Sequence, residues 1–198
     1  MKTVNKLTHD APEPLASFLI YIESIQGKSE LTAEEYFYDL RTFYRFLMLY
    51  NGKASDDVEF DDIVIDDVTL EMIRSVNLQT LYEYMNFLNK YRGNSAVSRA
   101  RKVSSIKSFY KYLFSKAKLI DENPTAELES VKITQQLPKY FNLDDSLKLL
   151  DAVSDRNSIR DYCILTLFLN CGMRLAELVN INITDINGDT LTVIGKGN

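Results

Sequence analysis

Histidine and cysteine are nearly missing from this 198-residue chain, which has one of the first and two of the second. Cys163 and Cys171 have neither a second cysteine pair nor a histidine near them. A zinc knuckle is therefore excluded, and both are expected to be reduced, core-filling thiols of a cytosolic protein. His9 sits close to the N-terminus and is expected to be solvated and inert. No run reaches the roughly eighteen apolar residues that span a bilayer, so no membrane partner is expected. Met1-Lys2-Thr3-Val4-Asn5 opens without the apolar core of a signal peptide.

A further absence is confined to one block. Residues 84–120 contain no carboxylate, but nine cations: Lys90, Arg92, Arg99, Arg101, Lys102, Lys107, Lys111, Lys116 and Lys118. The chain on either side is acidic, with 16 acidic and 7 basic residues over 1–83 and 12 and 7 over 121–198, for a net charge of −5. An acid-free block inside an acidic protein is the electrostatic footprint of a site for a polyanion. A solvated helix with lysines on its outside is the plainer explanation, but such a helix usually scatters glutamates among its lysines. What remains is ordinary: 45% hydrophobic and 26% charged residues, in a length that suits one or two domains.

Helical spacing dominates the first two thirds. Leu15, Phe18, Leu19 and Ile22 predict a helix over 13–25. Thr32, with Glu35 three residues on, predicts a capping box that opens a helix to Tyr50, where Asn51-Gly52 stops it. Residues 53–67 are acid-rich and aperiodic. They predict a solvated loop facing away from any polyanion, with a short extended piece at Ile63–Ile65, and their spacing fits no calcium-loop pattern. Thr69 is expected to cap a further helical stretch, broken or kinked near Val76-Asn77 and running to Tyr91, before a turn at Gly93-Asn94.

The block from Ser95 to Ala117 predicts a two-faced helix. Val103, Ile106, Phe109, Tyr110, Leu113 and Phe114 form its apolar stripe. Arg101, Ser104, Ser105, Ser108, Lys111, Tyr112 and Ser115 fall on the opposite face. Serines let a helix backbone approach a groove while flanking cations reach phosphates, which is the pattern of a helix lying in the DNA major groove. A short helical piece at Thr125–Glu129 is expected after Asn123-Pro124. Residues 132–137 read as a linker, with an ordinary loop as the other possibility.

Beyond the linker, Asn142 with Asp145 predicts a capped helix that buries Leu143, Leu147, Leu150 and Val153. The next helix is apolar nearly all round, at Tyr162, Ile164, Leu165, Leu167, Phe168 and Leu169, and is expected to be central until Gly172 ends it. A short helix over Arg174–Val179 follows. Ile183–Ile186, a turn at Asn187-Gly188 and Thr190–Ile194 predict a β-hairpin.

Three stretches carry a family likeness. They are Ser98–Leu113 with Asn123-Pro124, Leu137-Pro138-Lys139 with the 144–150 helix, and the Gly172-Met173-Arg174-Leu175-Ala176-Glu177-Leu178 box with Ile194-Gly195-Lys196-Gly197-Asn198. In their order and spacing the chain resembles the tyrosine recombinases, or phage-type integrases, and most closely their Xer-type branch. Ala176 departs from the serine common in that branch.

The resemblance implies a mainly α fold. A helical, SAM-like core-binding domain over 1–131 and a linker at 132–137 would precede the start of an α+β catalytic domain at 138–198. It implies attack by a tyrosine hydroxyl on a DNA phosphodiester through a 3′-phosphotyrosyl intermediate, with no metal or nucleotide cofactor. Arg174 would hold the non-bridging oxygens, Lys196 would protonate the leaving 5′-oxygen, and Glu177 would support Arg174. The expected DNA-binding set is Arg99, Arg101, Lys102, Ser104, Ser105, Lys107, Ser108 and Lys111, with Lys28, Thr32 and Arg41 nearer the N-terminus.

By the same resemblance the partners are a double-stranded DNA half-site and other recombinase protomers, up to a tetrameric synapse, in the cytoplasm at the nucleoid. The second arginine, the histidines and the nucleophilic tyrosine of the family are not matched by any residue here. These 198 residues are thus expected to bind DNA without cleaving it. A non-catalytic DNA-binding protein of this fold and a helical protein-interaction module are the alternatives.

Overall fold

The computed structural model describes residues 11–55, 57–134, 137, 139–153 and 158–195. The predicted roles of His9, Pro138 and Lys196 fall outside them. Two compact units divide the chain, Met1–Gln135 and Gln136–Asn198.

In the first unit, α1 (Leu15–Ser24) buries Leu15, Phe18, Leu19 and Ile22. Helix α2 (Glu30–Tyr50) begins one residue after its cap, Ser29, whose hydroxyl accepts from the Thr32 amide at 3.3 Å. The cap is therefore Ser29 and not Thr32. Both residues are good cap formers, and the one that keeps extended backbone (Ser29, ψ 154°) takes the role. Helix α3 (Leu70–Arg74) is capped by Thr69 and α4 (Leu78–Lys90) by Asn77, so of the break or kink expected near Val76-Asn77 the chain takes the break, between two capped helices. Helix α5 (Ala96–Tyr112), capped by Ser95, runs on into a wider π-helical turn over Leu113–Ala117.

Edge-on aromatic pairs tie these helices together. Phe18 meets Phe109 at 5.4 Å between ring centres, Phe43 meets Tyr84 at 5.1 Å, and Tyr44 meets Phe109 at 6.0 Å. Such pairs add to the large apolar area that each ring buries. All six helix-stripe residues predicted for α5 and its extension are buried except Phe114, which is 40% exposed. The change from α to π geometry at Leu113 alters the angular step per residue, so the 100° period no longer places Phe114.

Two local expectations change. Ile63–Ile65 forms no strand, yet Ile63, Ile65 and Val68 are all buried, so the acidic loop is stapled to the core by its apolar residues. Arg45 Nε donates to the Ile63 carbonyl at 3.1 Å and Arg92 pairs with Asp61 at 2.9 Å, closing the loop down further. Thr125–Glu129 is a pair of turns and not a helix. The Asn123 side chain accepts from the Thr125 amide (3.0 Å) and hydroxyl (2.9 Å), an Asx turn that competes with helical bonding.

In the second unit, α6 (Leu143–Asp151) is capped by Asn142, whose side chain accepts from the Asp145 amide at 2.8 Å. It packs on α7 (Ser158–Cys171). Leu143 and Leu147 are 74% and 51% exposed, and only Leu150 and Val153 are half-buried. Helix α7 is half-buried along Ile164–Leu169, and Cys163 and Cys171 are free but exposed, so they do not fill a core. The physical reason is shared: among the described residues of this unit, no second layer covers these faces. A short α8 (Leu175–Val179), a 3-10 turn (Ile183–Asp185) and strands β1 (Ile186–Asn187) and β2 (Thr190–Leu191) complete it. Ile186 faces Leu191 and Asn187 faces Thr190, so the loop is Gly188-Asp189, one residue later than expected. Gly188 at φ +58° takes the first central position, where a two-residue hairpin loop requires it.

Candidate nucleic-acid interface and phosphate clamp

The interface is built on α5. Its cations do not all reach the surface. Lys102 is 7% exposed and its ammonium pairs with Asp39 of α2 at 2.9 Å. Ser105 is 5% exposed and donates to the other Asp39 oxygen at 2.8 Å. Both members of the expected DNA-binding set are thus withdrawn into the packing of α5 against α2, Ser105 from the predicted outer face. Tyr112 also leaves it, stacking on Phe18 and Tyr21 at 5.5 and 4.9 Å. Arg101 remains exposed but touches Asp39 at 2.9 Å and makes a close ion pair with Glu35. Arg99 donates to the Asn94 carbonyl at 2.7 Å and to the Asn89 side chain, which orient it without cancelling its charge.

Ser104 and Lys111 are exposed, and Lys107 and Ser108 half-exposed. Ser104 Oγ bonds back to the Ala100 carbonyl at 3.2 Å, keeping its side chain short against the helix. Neither Lys107 nor Lys111 makes an ion pair among the described residues. Between the first two helices Lys28 is exposed, and at the start of the second Thr32 is half-buried beside its cap. Arg41 lies over the Tyr38 and Phe37 rings at 4.9 and 5.4 Å, a cation–π shelf.

Asp39 is the residue that sequence reasoning missed. Its signal was there: an acid three residues after Tyr36 and four before Phe43, within the apolar stripe of α2. A carboxylate in that position has to find cationic or hydroxyl donors on whatever packs against the stripe.

The second candidate site lies in the other unit. Gly172, at φ +61°, ends α7 and swings the chain out, so that Arg174 becomes the extended N-cap of α8. Glu177 reaches back to the Arg174 amide at 2.9 Å and accepts from its guanidinium at 2.6 Å. These hydrogen bonds, the backbone one first, hold the Glu177 carboxyl below its ordinary range. The Arg174 side chain is 76% exposed and Glu177 14%, so a shielded carboxylate presents an open guanidinium fork. A side chain added at Gly195 would sit 3.5 Å from Glu177 Oε1, which brings the chain beyond the hairpin, next to Lys196, against the same carboxylate. A hollow of about 150 Å³ beside Glu177 is lined by Asn180, Asn182, Asp185 and Thr192 among others. Its acidic wall does not suit a phosphate, whereas the open side of Arg174 carries no carboxylate other than Glu177 among the contacts described. No group of residues arranged to hold a metal ion occurs among those described.

Sequence comparison supplies the family. Residues 15–117 match the phage integrase N-terminal SAM-like domain and residues 139–198 the phage integrase family. The chain belongs to the phage integrase family. It is 51% identical, over 94% of its length, to a tyrosine recombinase XerC of Caldanaerobacter subterraneus subsp. tengcongensis, and covers 53% of that protein. A tyrosine recombinase XerC of Thermodesulfovibrio yellowstonii is 33% identical over 92% of this chain and 54% of its own. The chain thus spans about half the length of these relatives. A crystal structure of XerA recombinase aligns over 93% of this chain and 52% of that one, at 20% identity and a TM-score of 0.36. Among the described residues no helix is long and apolar enough to cross a membrane.

Proposed function

We propose that this chain is the DNA-gripping portion of a site-specific tyrosine recombinase. The first unit binds one face of a duplex through α5, and the second supplies the first part of the phosphate clamp. The observation that carries this reading is the division of labour on α5. Its inner face is fixed to the core through Val103, Ile106 and Phe109, while Ser104, Lys107 and Lys111 stand open on a face without carboxylates of its own.

In the second unit, Arg174 presents its fork to two non-bridging phosphate oxygens, with Glu177 fixing its direction. Charge that builds on those oxygens in the transition state is met by a guanidinium already in place. Lys196 is the candidate donor to the leaving 5′-oxygen, because an alkoxide departs poorly without a proton. The whole enzyme would cleave through a 3′-phosphotyrosyl link, need no metal or nucleotide, and assemble as protomers on paired half-sites, up to a tetramer, at the nucleoid. Those steps rest on the family relationship.

Binding of the 198-residue polypeptide to duplex DNA across a salt series tests the reading. Lys107→Ala and Lys111→Ala are each expected to make the slope of log affinity against log salt shallower by about one. On suicide substrates the same polypeptide should bind without forming a covalent adduct. Affinity that ignores salt would defeat the α5 assignment.

A further inference from the structure

Helix α2 carries Glu35 and Asp39 one turn apart, and both carboxylates close on the guanidinium of Arg101. They are not equivalent. Asp39 is 1% exposed and is held from three sides, by Arg101, by Lys102 and by the Ser105 hydroxyl. The Glu35 side chain is 62% exposed, and that of Arg101 is 45% exposed. Asp39 is therefore a fixed anchor, whereas Glu35 can swing into water. Exposed ion pairs are weak, and a phosphate offers the same guanidinium an equal or better acceptor.

Resting on the reading of α5 as the DNA-facing helix, we propose that Glu35 is a displaceable carboxylate masking Arg101. Arg101 then grips DNA only where a backbone phosphate takes the place of Glu35, while Asp39 holds the guanidinium from behind. The consequence is discrimination. A duplex that merely approaches α5 meets Lys107 and Lys111 but finds Arg101 neutralised. A duplex docked closely enough to deliver a phosphate exchanges one acceptor for another and gains an oriented contact. Glu35 thereby lowers affinity for loosely held, non-specific DNA without altering the geometry of the helix.

The counterion argument gives a readout that a structural role would not move. With Glu35 beside it, Arg101 adds no net charge to the interface. Glu35→Gln restores that charge, so the salt slope should steepen by up to about one and non-specific binding should tighten roughly two- to fivefold.

The experiment measures the 198-residue chain against a fluorescent random-sequence 30-base-pair duplex by anisotropy at several salt concentrations. It compares the wild type with Glu35→Gln, Arg101→Ala, their double variant and Glu34→Gln, a neighbouring carboxylate without an ion pair among the described residues. Tightening and steepening by Glu35→Gln, clearly larger in the wild type than in the Arg101→Ala background and not reproduced by Glu34→Gln, is the expected result. Tightening of the same size in both backgrounds means a general charge effect and overturns the proposal. Salt-dependent wild-type binding with an inert Glu35→Gln defeats the masking idea but spares the interface. No salt-dependent binding in any variant defeats both.

Discussion

Tyr44 and Tyr162 both sit within long helices, yet Tyr44 is fully buried and Tyr162 is 50% exposed. The contrast holds for the units that contain them. The first packs helices on several sides of α2 and seals a core of aromatic and aliphatic side chains. In the second, no described residue is fully buried, although α6 has as clean an apolar face as α2. An amphipathic pattern therefore says which face of a helix is apolar, and a second layer decides whether that face is covered. The proposed clamp residue Arg174 stands on the thinly packed unit, and α5, the proposed DNA-facing helix, on the well-packed one.

The strongest way to break this comparison is to cut into the dense core. Phe43→Ala removes a ring that touches Tyr84 and Tyr110, and should cost about 3–5 kcal/mol in urea unfolding of the first unit. A cost under about 1 kcal/mol would mean that the core is looser than its packing implies.

Asp39→Ala comes next. It leaves Lys102 charged and 9% exposed at the side chain without its partner, and should cost about 3 kcal/mol. Lys102→Met in the same chain should restore much of the loss, because removing both charges ends the mismatch. If the double variant is no more stable than Asp39→Ala, the network is not what holds α5 to α2.

pH separates the two units in opposite directions. Burial raises the phenols of Tyr44, Tyr84 and Tyr110 well above their usual value. The stability this represents is complete below the unfolded value of about 10 and is lost as pH rises beyond it. Ultraviolet titration should therefore show that three of the twelve tyrosines ionise only on unfolding. Glu177 is depressed, so its contribution is complete above the ordinary carboxylate range and fades as pH falls through its lowered value. Carboxyl NMR should report its midpoint below the ordinary glutamate value. A normal midpoint would mean that Arg174 is not held.

The smallest effect sharpens the contrast from the other side. Leu147→Ala, on the exposed face of α6, should change stability by no more than about 0.5 kcal/mol. The same leucine-to-alanine change at Leu47, which is 0% exposed, should cost several times more.

Much of this architecture was legible from residue order. The caps at Thr69 and Asn142 and the stops at Gly52, Gly93 and Gly172 involve partners within a few residues, so local rules suffice to place them. The Arg174–Glu177 contact was readable for the same reason, being one helical turn long. The failures have longer reach. Ser29 displaced Thr32 as a cap by a choice between two competent neighbours, and the π-helical turn rotated Phe114 out of its stripe. Neither leaves a trace in apolar periodicity.

The acid-free block from 84 to 120 was fixed by the sequence alone, and with it a helix that could serve a polyanion. Which of its cations are available was decided only in three dimensions. Glu35, Asp39 and Asp61 arrive from segments thirty to more than sixty residues away and take up Arg101, Lys102 and Arg92. Charge counts are additive along a chain, but pairing depends on distances of a few ångströms, and those exist only once the helices have packed.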